Sequence, residues 1–463
     1  MTATASPPPI TRVSRIDWIK SNLFPNPWSG LLTIVLAPIV LYMAYRASMF
    51  LFVNGRWEAV ERNLTLFMQG TFPRDQQWRL VAQLTLFALS LGVGLGTASA
   101  SARDRAMEAG LPHERSTPLD AIRRFWSVIL FVLVLLYFAA TTTPWLVVLG
   151  AVVALLIGLQ VYRLPISLRL YGWLLMALFL VAGFQVVSGT TGRAWVVTAL
   201  VVGIGAWSLV ESERIPPGWG TWALKTGAVV MSTVIVFLVY SAFPIEGLGW
   251  DTWSGLHLTL WVSALAIILS FPFGLMLALA RRSGLPALRL LATTYIELIR
   301  GVPLIALLFM GQYVAGFLLP AGTTLSSISR AIGVFTLFTA AYVAEIVRGG
   351  LQSLPPGQAE AGLALGLSPP SVIRLIVLPQ ALRAVIPAMV GQFISLFKDT
   401  SLLSILAIFE FFNVRSLIHA QPEFRGIAHA ETLVFVAFGY WAIAFAMSRE
   451  SQRLEGRLRV GEA

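Results

Sequence analysis

The chain of 463 residues contains no cysteine and only four histidines. The first absence excludes disulfides and thiolate metal sites, and the histidines stand in no ligand spacing, so we expect no metal centre. We also expect no cofactor and no catalytic residues in this chain. Charged residues make up only 12%, against 57% hydrophobic residues and a mean hydropathy of +0.78. A water-soluble core cannot hide that much apolar surface, which predicts an integral membrane protein.

The formal net charge is +11. Nucleic-acid binding is not expected, because no loop interleaves basic with aromatic side chains as such sites require. In helical membrane proteins, lysine and arginine collect in the cytoplasmic loops. The positive charge is therefore interpreted as an orientation signal in a lipid bilayer.

Apolar runs predict an all-α polytopic fold, because lipid offers the backbone no hydrogen-bond partners. A hydrocarbon core of about 30 Å requires roughly 20 apolar residues per helix, and this rule predicts about twelve spans. The candidate spans are 31–53, 79–100, 125–141, 144–162, 169–188, 194–210, 222–243, 257–280, 300–319, 329–347, 379–410 and 430–448. The run at 379–410 exceeds one straight span and contains Pro387, so we expect a kink or a leading surface helix there.

The basic residues set the predicted orientation. The first thirty residues are polar, carry Arg12, Arg15 and Lys20, and are followed by no small-residue cleavage site, which predicts an uncleaved first span. With the N-terminus in the cytoplasm, 22 of the 33 lysines and arginines fall on the cytoplasmic side. Both termini are therefore expected to be cytoplasmic, although merging 125–162 into one span would break the alternation.

Two membrane blocks are predicted on this layout. A cytoplasmic segment at 1–30 precedes an N-terminal block of about seven helices at 31–243, whose spans hold few polar residues and suggest scaffold or lipid-facing packing. A core of about five helices follows at 250–448, with a cytoplasmic tail at 449–463. The core carries the motifs.

In the predicted cytoplasmic segment at 353–383, serine, proline and glycine residues stand at positions that predict two short helices. Ser353 is expected to cap the first, with the following proline pair in its first turn, and Gly366 to end it in a left-handed conformation. Ser368, followed by Pro369, opens the second. Four small residues, Ala361, Gly362, Ala364 and Gly366, would let the first helix press closely into a partner, and Glu360 offers a charge. A surface helix lying along the membrane is the alternative.

The spacing in this segment resembles the EAA loop of binding-protein-dependent ABC importers. That loop reads EAA, three residues, G, nine residues, I, one residue, LP, and the residues from Glu360 to Pro379 fit it. Gly362 alone departs, standing where the family usually has alanine. This change keeps the residue small but loosens the helix by up to about 1 kcal/mol.

Four further stretches are similar to the polar amino acid permease family. They read TLWVSALAIILSFPFGLMLALARRSG at 259–284, ELIRGVPLIALLF at 297–309, AAYVAEIVRGGLQSLPPGQ at 340–358 and FISLFKDTSLLS at 393–404. The lengthened N-terminal block resembles that of the larger membrane subunit of general L-amino acid importers. The core is therefore expected to have the type I ABC importer transmembrane fold.

The resemblance implies import of L-amino acids of broad specificity across a bacterial inner membrane, from periplasm to cytoplasm. It implies a second permease subunit, a periplasmic amino-acid-binding protein and two ATPase subunits as partners. The chain has no GxxxxGK[ST] loop, so ATP and magnesium are expected in the partner ATPase and no enzyme activity here. The EAA loop at 353–379 would dock that ATPase through Gly357, Glu360, Ala361, Gly362 and Gly366.

Polar residues inside the spans are candidates for the substrate path, because each is costly in hydrocarbon. A free amino acid presents an ammonium and a carboxylate. Its candidate partners are Tyr342, Gln392, Ser395, Lys398 and Asp399. The alternative is that Lys398 and Asp399 form structural ion pairs with Glu345 or Arg348. Separately, Glu297 and Arg300 lie one turn apart and are expected to pair with each other at a helix end.

Two other classes compete with this interpretation. An ion-coupled secondary transporter predicts two related halves with matching broken helices, but the first block has nothing corresponding to 353–383. A membrane enzyme requires a clustered acid, base or metal set near one interface, which neither the histidines nor the carboxylates provide.

Overall fold

The computed structural model describes residues 14–108, 110, 126, 137, 144–163, 169–191, 194–209, 219–249, 252–318 and 325–459. Regular structure in these ranges is helical, apart from an isolated bridge between Gly255 and Glu410. The predicted all-α class is thereby confirmed.

We group the helices by the two predicted blocks. Those of the first block are Arg15–Leu23, Pro27–Met49, Glu58–Glu61, Leu64–Gln69, Gln77–Glu108, Pro144–Leu159, Arg169–Ser188, Trp195–Leu209 and Trp219–Ala242. Those of the second are Gly255–Arg281, Pro286–Gly301, Leu304–Tyr313, Ala315–Leu318, Ser327–Ser353, Gly357–Ala364, Pro369–Val372, Leu378–Asp399, Val414–Ala420 and His429–Arg459. We call Gly255–Arg281, Ser327–Ser353, Leu378–Asp399 and His429–Arg459 the first, third, fourth and last core helices.

Nine helices within the described ranges are long and apolar enough to cross a membrane, and a bent pair gives a tenth candidate. The segment predicted at 194–210 forms a helix of 15 residues. The segment predicted at 125–141 lies outside the described residues. The count of twelve spans, and the boundary between the blocks, stay predictions.

The second core span differs from the straight helix expected at 300–319. Pro286–Gly301 meets Leu304–Tyr313 at 105°. Pro303 lacks an amide donor and disfavours helical geometry in the residue before it, and Val302 is accordingly extended, with φ −99° and ψ 135°. The first arm buries only Ala292 and Ile296, one turn apart, so it lies along the core rather than through it.

The fourth core helix is part of a continuous helical run that begins earlier than the expected 379–410 span and is longer than it. Pro369–Val372 continues through a π-helical turn at Ile373–Val377 into Leu378–Asp399, and the whole run reaches Leu406 over 38 residues. In that turn the Leu378 amide bonds the carbonyl of Ile373, five residues back. The expected surface helix and the span are therefore one continuous element.

Small residues hold the core helices together. A Cβ atom on Gly274 of the first core helix would lie 2.6 Å from Val343 of the third. Ala340 and Ala344 on the third core helix are fully buried. Without a hydrophobic drive between helices in lipid, such close backbone approach supplies the packing energy. The two blocks meet where Leu80 and Val187 of the first pack with Trp253 and Leu258 of the second.

Candidate functional site: the coupling hairpin and the arginine cluster

We call the segment 354–377 the coupling hairpin. Its first helix ends in a well-defined C-terminal capping motif. Helix Gly357–Ala364 ends with Gly366 at φ +80°, which disfavours residues with a Cβ. The Gly366 amide donates to the Leu363 carbonyl at 2.9 Å, and the Leu367 amide to the Gly362 carbonyl at 3.2 Å. This pair of bonds is the Schellman motif. The predicted left-handed end at Gly366 is confirmed.

The predicted start of the second arm is correct, and the predicted start of the first arm is wrong. Ser368 precedes Pro369 at the start of the second arm, as expected. Ser353 does not cap the first arm. It is the last residue of the third core helix, and its hydroxyl donates to the Gly350 carbonyl at 2.9 Å. Because the prolines at 355 and 356 cannot donate backbone hydrogen bonds, the long helix stops before them and a new one begins at Gly357.

Gly362 is buried inside the hairpin rather than turned toward a partner. A Cβ atom there would lie 2.8 Å from Cδ1 of Ile376 and 3.0 Å from Cγ2 of Val372, both on the second arm. The interpretation that all four small residues form a partner surface is therefore wrong for Gly362. Its small size lets the two arms close on each other.

The other predicted docking residues, Gly357, Glu360, Ala361 and Gly366, are exposed. Sequence reasoning missed Leu363 and Leu365, which are 49% and 81% exposed. Leu363 lies on the short helix and Leu365 directly follows it, outside the membrane-spanning segments. We include these two leucines, with Glu360, among the candidate contact residues of the hairpin. Their placement in a helix otherwise built of small residues is the signal that would have found them.

A cluster of ionic side chains joins three core helices near the hairpin. Glu345 on the third core helix pairs with Arg281 of the first, with Arg300 at 3.4 Å, and with Arg348 at 2.8 Å. The Glu345 side chain is only 15% exposed. Glu297 joins at the rim, 2.9 Å from Arg281 and 60% exposed. We call these five residues the arginine cluster.

This cluster overturns two expectations. The partner of Glu297 is Arg281 and that of Arg300 is Glu345, so the predicted pairing of Glu297 with Arg300 is wrong. In the part of the chain that the structure describes, no ion pair joins Lys398 or Asp399 to Glu345 or Arg348. The structural alternative for Lys398 and Asp399 is therefore wrong in this form.

The candidate path residues fall into two places. Gln392, Ser395 and Asp399 follow each other at intervals of three and four on the fourth core helix, with Lys398 exposed beside them. Tyr342 lies instead under the Arg300 guanidinium, 5.4 Å from its ring centroid.

The contact between Gly350 and Ala381 aligns the third and fourth core helices, so the positions of the path residues along the two helices can be compared from it. Counted from that contact at 1.5 Å per residue, Tyr342 and Lys398 are separated by about 13 Å along the helices. The structure groups Tyr342 with the arginine cluster and the other four residues together.

A buried carboxyl group lies between the fourth and last core helices, outside the spans. Glu410 is fully buried and accepts hydrogen bonds from the Phe412 and Asn413 amides, both at 2.7 Å, and from the Tyr440 hydroxyl at 2.9 Å. Burial outweighs these bonds and raises the pKa of Glu410 to about 7. The folded protein therefore binds a proton that the unfolded chain releases near pH 4.5.

The free energy of unfolding should fall by about 3 kcal/mol between about pH 4.5 and about pH 7, because the folded form alone holds that proton in this interval. Glu410→Gln should remove this dependence, since the amide does not titrate. Thermal melting of the unaltered chain and of Glu410→Gln, each at about pH 5 and about pH 8, measures this dependence and its loss. Glu423→Gln, at an exposed carboxylate, is the control. An equal fall in the Glu410→Gln variant would contradict the assignment.

Comparison with known proteins agrees with this architecture. Residues 270–460 match the family described as binding-protein-dependent transport system inner membrane component. The chain is 42% identical over 249 residues to the inner membrane amino-acid ABC transporter permease protein YhdY of Escherichia coli, covering 54% of this chain and 67% of that one.

The glutamate/glutamine/aspartate/asparagine transport system permease protein BztC of Rhodobacter capsulatus is 29% identical over 98% of this chain and 96% of its own length. Among solved structures, an amino acid ABC transporter with histidines matches 49% of this chain and 97% of that chain, at 26% identity and a TM-score of 0.40. With its apolar helices and these relatives, the chain is a multi-pass inner-membrane protein and belongs to the permease components of amino-acid ABC importers.

Proposed function

We propose that the chain moves L-amino acids of broad specificity into the cytoplasm, driven by separate ATPase subunits that dock on the coupling hairpin. The observation that carries this proposal is the hairpin itself. It is closed internally by Gly362, stopped by a Schellman motif, and presents Glu360, Leu363 and Leu365 to its surroundings. Such a surface on a rigid element fits a docking role.

The hairpin is connected so that it can transmit force. Its first arm follows the third core helix at Ser353, and its second arm runs without a break into the fourth core helix. Movement of the ATPase would therefore displace two core helices together. The π-helical turn at Ile373–Val377 is the local irregularity in this connection, as is common for such turns at functional positions.

The substrate assignment rests on the relatives and on the charges of the fourth core helix. BztC is named for glutamate, glutamine, aspartate and asparagine, which is a broad range. Lys398 and Asp399, with Gln392 and Ser395 on the same helix, offer one cation, one anion and two polar groups to a zwitterion. We propose that these four residues contact substrate and that Tyr342 belongs to the mechanical core.

The remaining proposed parts are a second permease subunit, a periplasmic amino-acid-binding protein, and both termini in the cytoplasm. Positive residues at the hairpin end of the core, including Arg281, Arg300 and Arg348, support that orientation. ATP and magnesium belong to the partner ATPase. Purified chain alone should hydrolyse no ATP, and turnover without a partner would contradict a separate ATPase.

Charge reversal by Glu360→Lys should reduce ATP-driven amino acid uptake by at least about tenfold, since like-charge juxtaposition at a docking surface costs several kcal/mol. Membrane insertion should be unchanged, because Glu360 is exposed. Uptake and ATPase activity are measured with the assembled complex in proteoliposomes. Glu423→Lys is the matched control, an exposed carboxylate beyond the opposite end of the fourth core helix. Normal uptake in Glu360→Lys would remove the docking assignment.

A further inference from the structure

A cavity of about 910 Å³ lies between the N-terminal block and the first core helix. Its walls run from Leu80 to Leu91 on one helix, from Ala177 to Ser188 on a second, and from His257 to Leu269 on the first core helix. Each wall is about 16 Å long at 1.5 Å per residue. A bilayer core is about 30 Å thick, so the cavity has the length of one leaflet.

The lining of the cavity changes from polar to apolar along this length. Polar side chains lie at the end where the first core helix begins, namely Gln69, Gln83, Gln185, Ser188 and His257. Beyond them the lining is aliphatic and aromatic apart from Ser263. Among the lining residues that the structure describes, no Asp, Glu, Lys or Arg occurs. An amino acid substrate would leave both its charges unpaired here, so the site suits a molecule with a neutral polar end and long apolar chains.

The polar end holds hydrogen-bonding groups that lack protein partners. Gln69 is 3% exposed and Gln83 is fully buried. Neither amide atom of Gln69 has a partner, and Gln83 uses only its oxygen, 2.8 Å from Nε2 of His257. The Gln83 amide nitrogen and the second ring nitrogen of His257 are left over. Buried polar groups of this kind normally have hydrogen-bond partners, because leaving one without a partner costs about 1–3 kcal/mol of stability.

The cavity is also accessible from the side. Its lining includes Leu180, Val197 and Ile268, whose side chains are exposed on the surface of apolar helices. An acyl chain can therefore enter laterally from the bilayer, without crossing a polar barrier.

We propose that this cavity is a binding site for a membrane phospholipid. The acyl chains fill the apolar length. The unpartnered amide groups of Gln69 and Gln83 expose almost no surface to the cavity, so these side chains rotate when lipid binds and then donate hydrogen bonds to the ester carbonyl oxygens at the polar end. The charged headgroup stays outside at the membrane surface, so the site selects diacyl glycerol esters and not one headgroup. Bound there, the lipid joins the N-terminal block to the core.

The first test fills the cavity. Ala264 lines it on the first core helix, and Ala264→Phe should lower the phospholipid retained by the assembled complex by about tenfold, because the ring takes the acyl chain's volume. The complex is stripped in detergent, reloaded in nanodiscs of phosphatidylethanolamine or phosphatidylglycerol, and weighed by native mass spectrometry.

The control is Ala223→Phe, at an exposed position of Trp219–Ala242 that does not line the cavity. The control should retain as much of either lipid as the unaltered chain. Equal retention in all three proteins, or detergent in place of lipid (an adventitious additive only), would overturn the proposal. So would retention of phosphatidylglycerol alone, because it would require a positive charge at the polar end.

The second test changes the polar end without changing its volume. Gln69→Met removes both unpartnered amide atoms. If no lipid bound in the cavity, this variant would have a higher melting temperature than the unaltered chain and would retain the same amount of lipid. The proposal predicts lower phospholipid retention. After lipid has been stripped, Gln69→Met should melt at a higher temperature than the unaltered chain. When lipid is restored, the melting temperature of Gln69→Met should rise by less than that of the unaltered chain. Unchanged retention in Gln69→Met would contradict the proposal.

Discussion

Gly362→Leu should strongly reduce coupled amino acid uptake while the protein still inserts in the membrane. Even a Cβ atom at this position would lie 2.8 Å from Ile376 and 3.0 Å from Val372. A leucine must therefore push the second arm away, at about 1–3 kcal/mol for such overpacking. Because the docking face depends on both arms, we expect uptake in proteoliposomes to fall at least about tenfold.

A graded substitution separates packing from loss of flexibility. Gly362→Ala should retain most activity, since the nearest atom is the end of the flexible Ile376 side chain, and alanine gains up to about 1 kcal/mol of helix propensity. Gly227→Leu is the control for leucine itself, because nothing lies within 4 Å of a Cβ at that helical glycine. Activity of Gly362→Leu equal to that of Gly227→Leu would contradict the packing role.

Glu345→Gln should cost about 3 kcal/mol of stability, because it leaves three arginines around a partly buried position without their shared anion. The side chain is 15% exposed and joins three helices through Arg281, Arg300 and Arg348. Ser327–Ser353, which carries Glu345, runs directly into the coupling hairpin, so we also expect reduced uptake. Chemical denaturation of the purified complex and uptake in proteoliposomes measure the two effects.

Glu297→Gln is the matched control within the same cluster. Glu297 is 60% exposed and bonds only to Arg281 among the pairs described. Exposed ion pairs contribute about 0–1 kcal/mol, so its loss should be small. Equal losses of stability in the two variants would show that Glu345 is not the centre of the cluster.

Local chemistry made part of the hairpin predictable. The end at Gly366 requires a left-handed residue, and the start at Ser368 is fixed by the prolines that follow. Both features depend on neighbours within a few residues, so the sequence predicts them correctly. Ser353 shows the limit, because a serine before a proline pair suits a helix start and a helix end alike, and the preceding long helix claims it.

Rotation about a helix axis was not predictable in the same way. Glu297 and Arg300 lie one turn apart, yet each turns to another helix because Arg281 and Glu345 stand where those helices cross. Gly362 was likewise placed on the wrong face, since its neighbours Val372 and Ile376 come from the second arm. The lipid-sized cavity also arises from contacts between distant segments, which spacing along one segment cannot show. The 105° bend at Val302 is different, because the proline at position 303 is a local signal for it in the sequence.

The central claim is that the coupling hairpin contacts the ATPase, and site-directed cross-linking tests it directly. The chain contains no cysteine, so Ala361→Cys on the exposed face of the hairpin helix gives a unique attachment point for a short photo-cross-linker. Ser416→Cys, exposed beyond the opposite end of the fourth core helix, is the control. We predict a covalent adduct with the ATPase subunit from position 361 and none from position 416. No ATPase adduct from position 361, or equal adducts from both positions, would contradict the account.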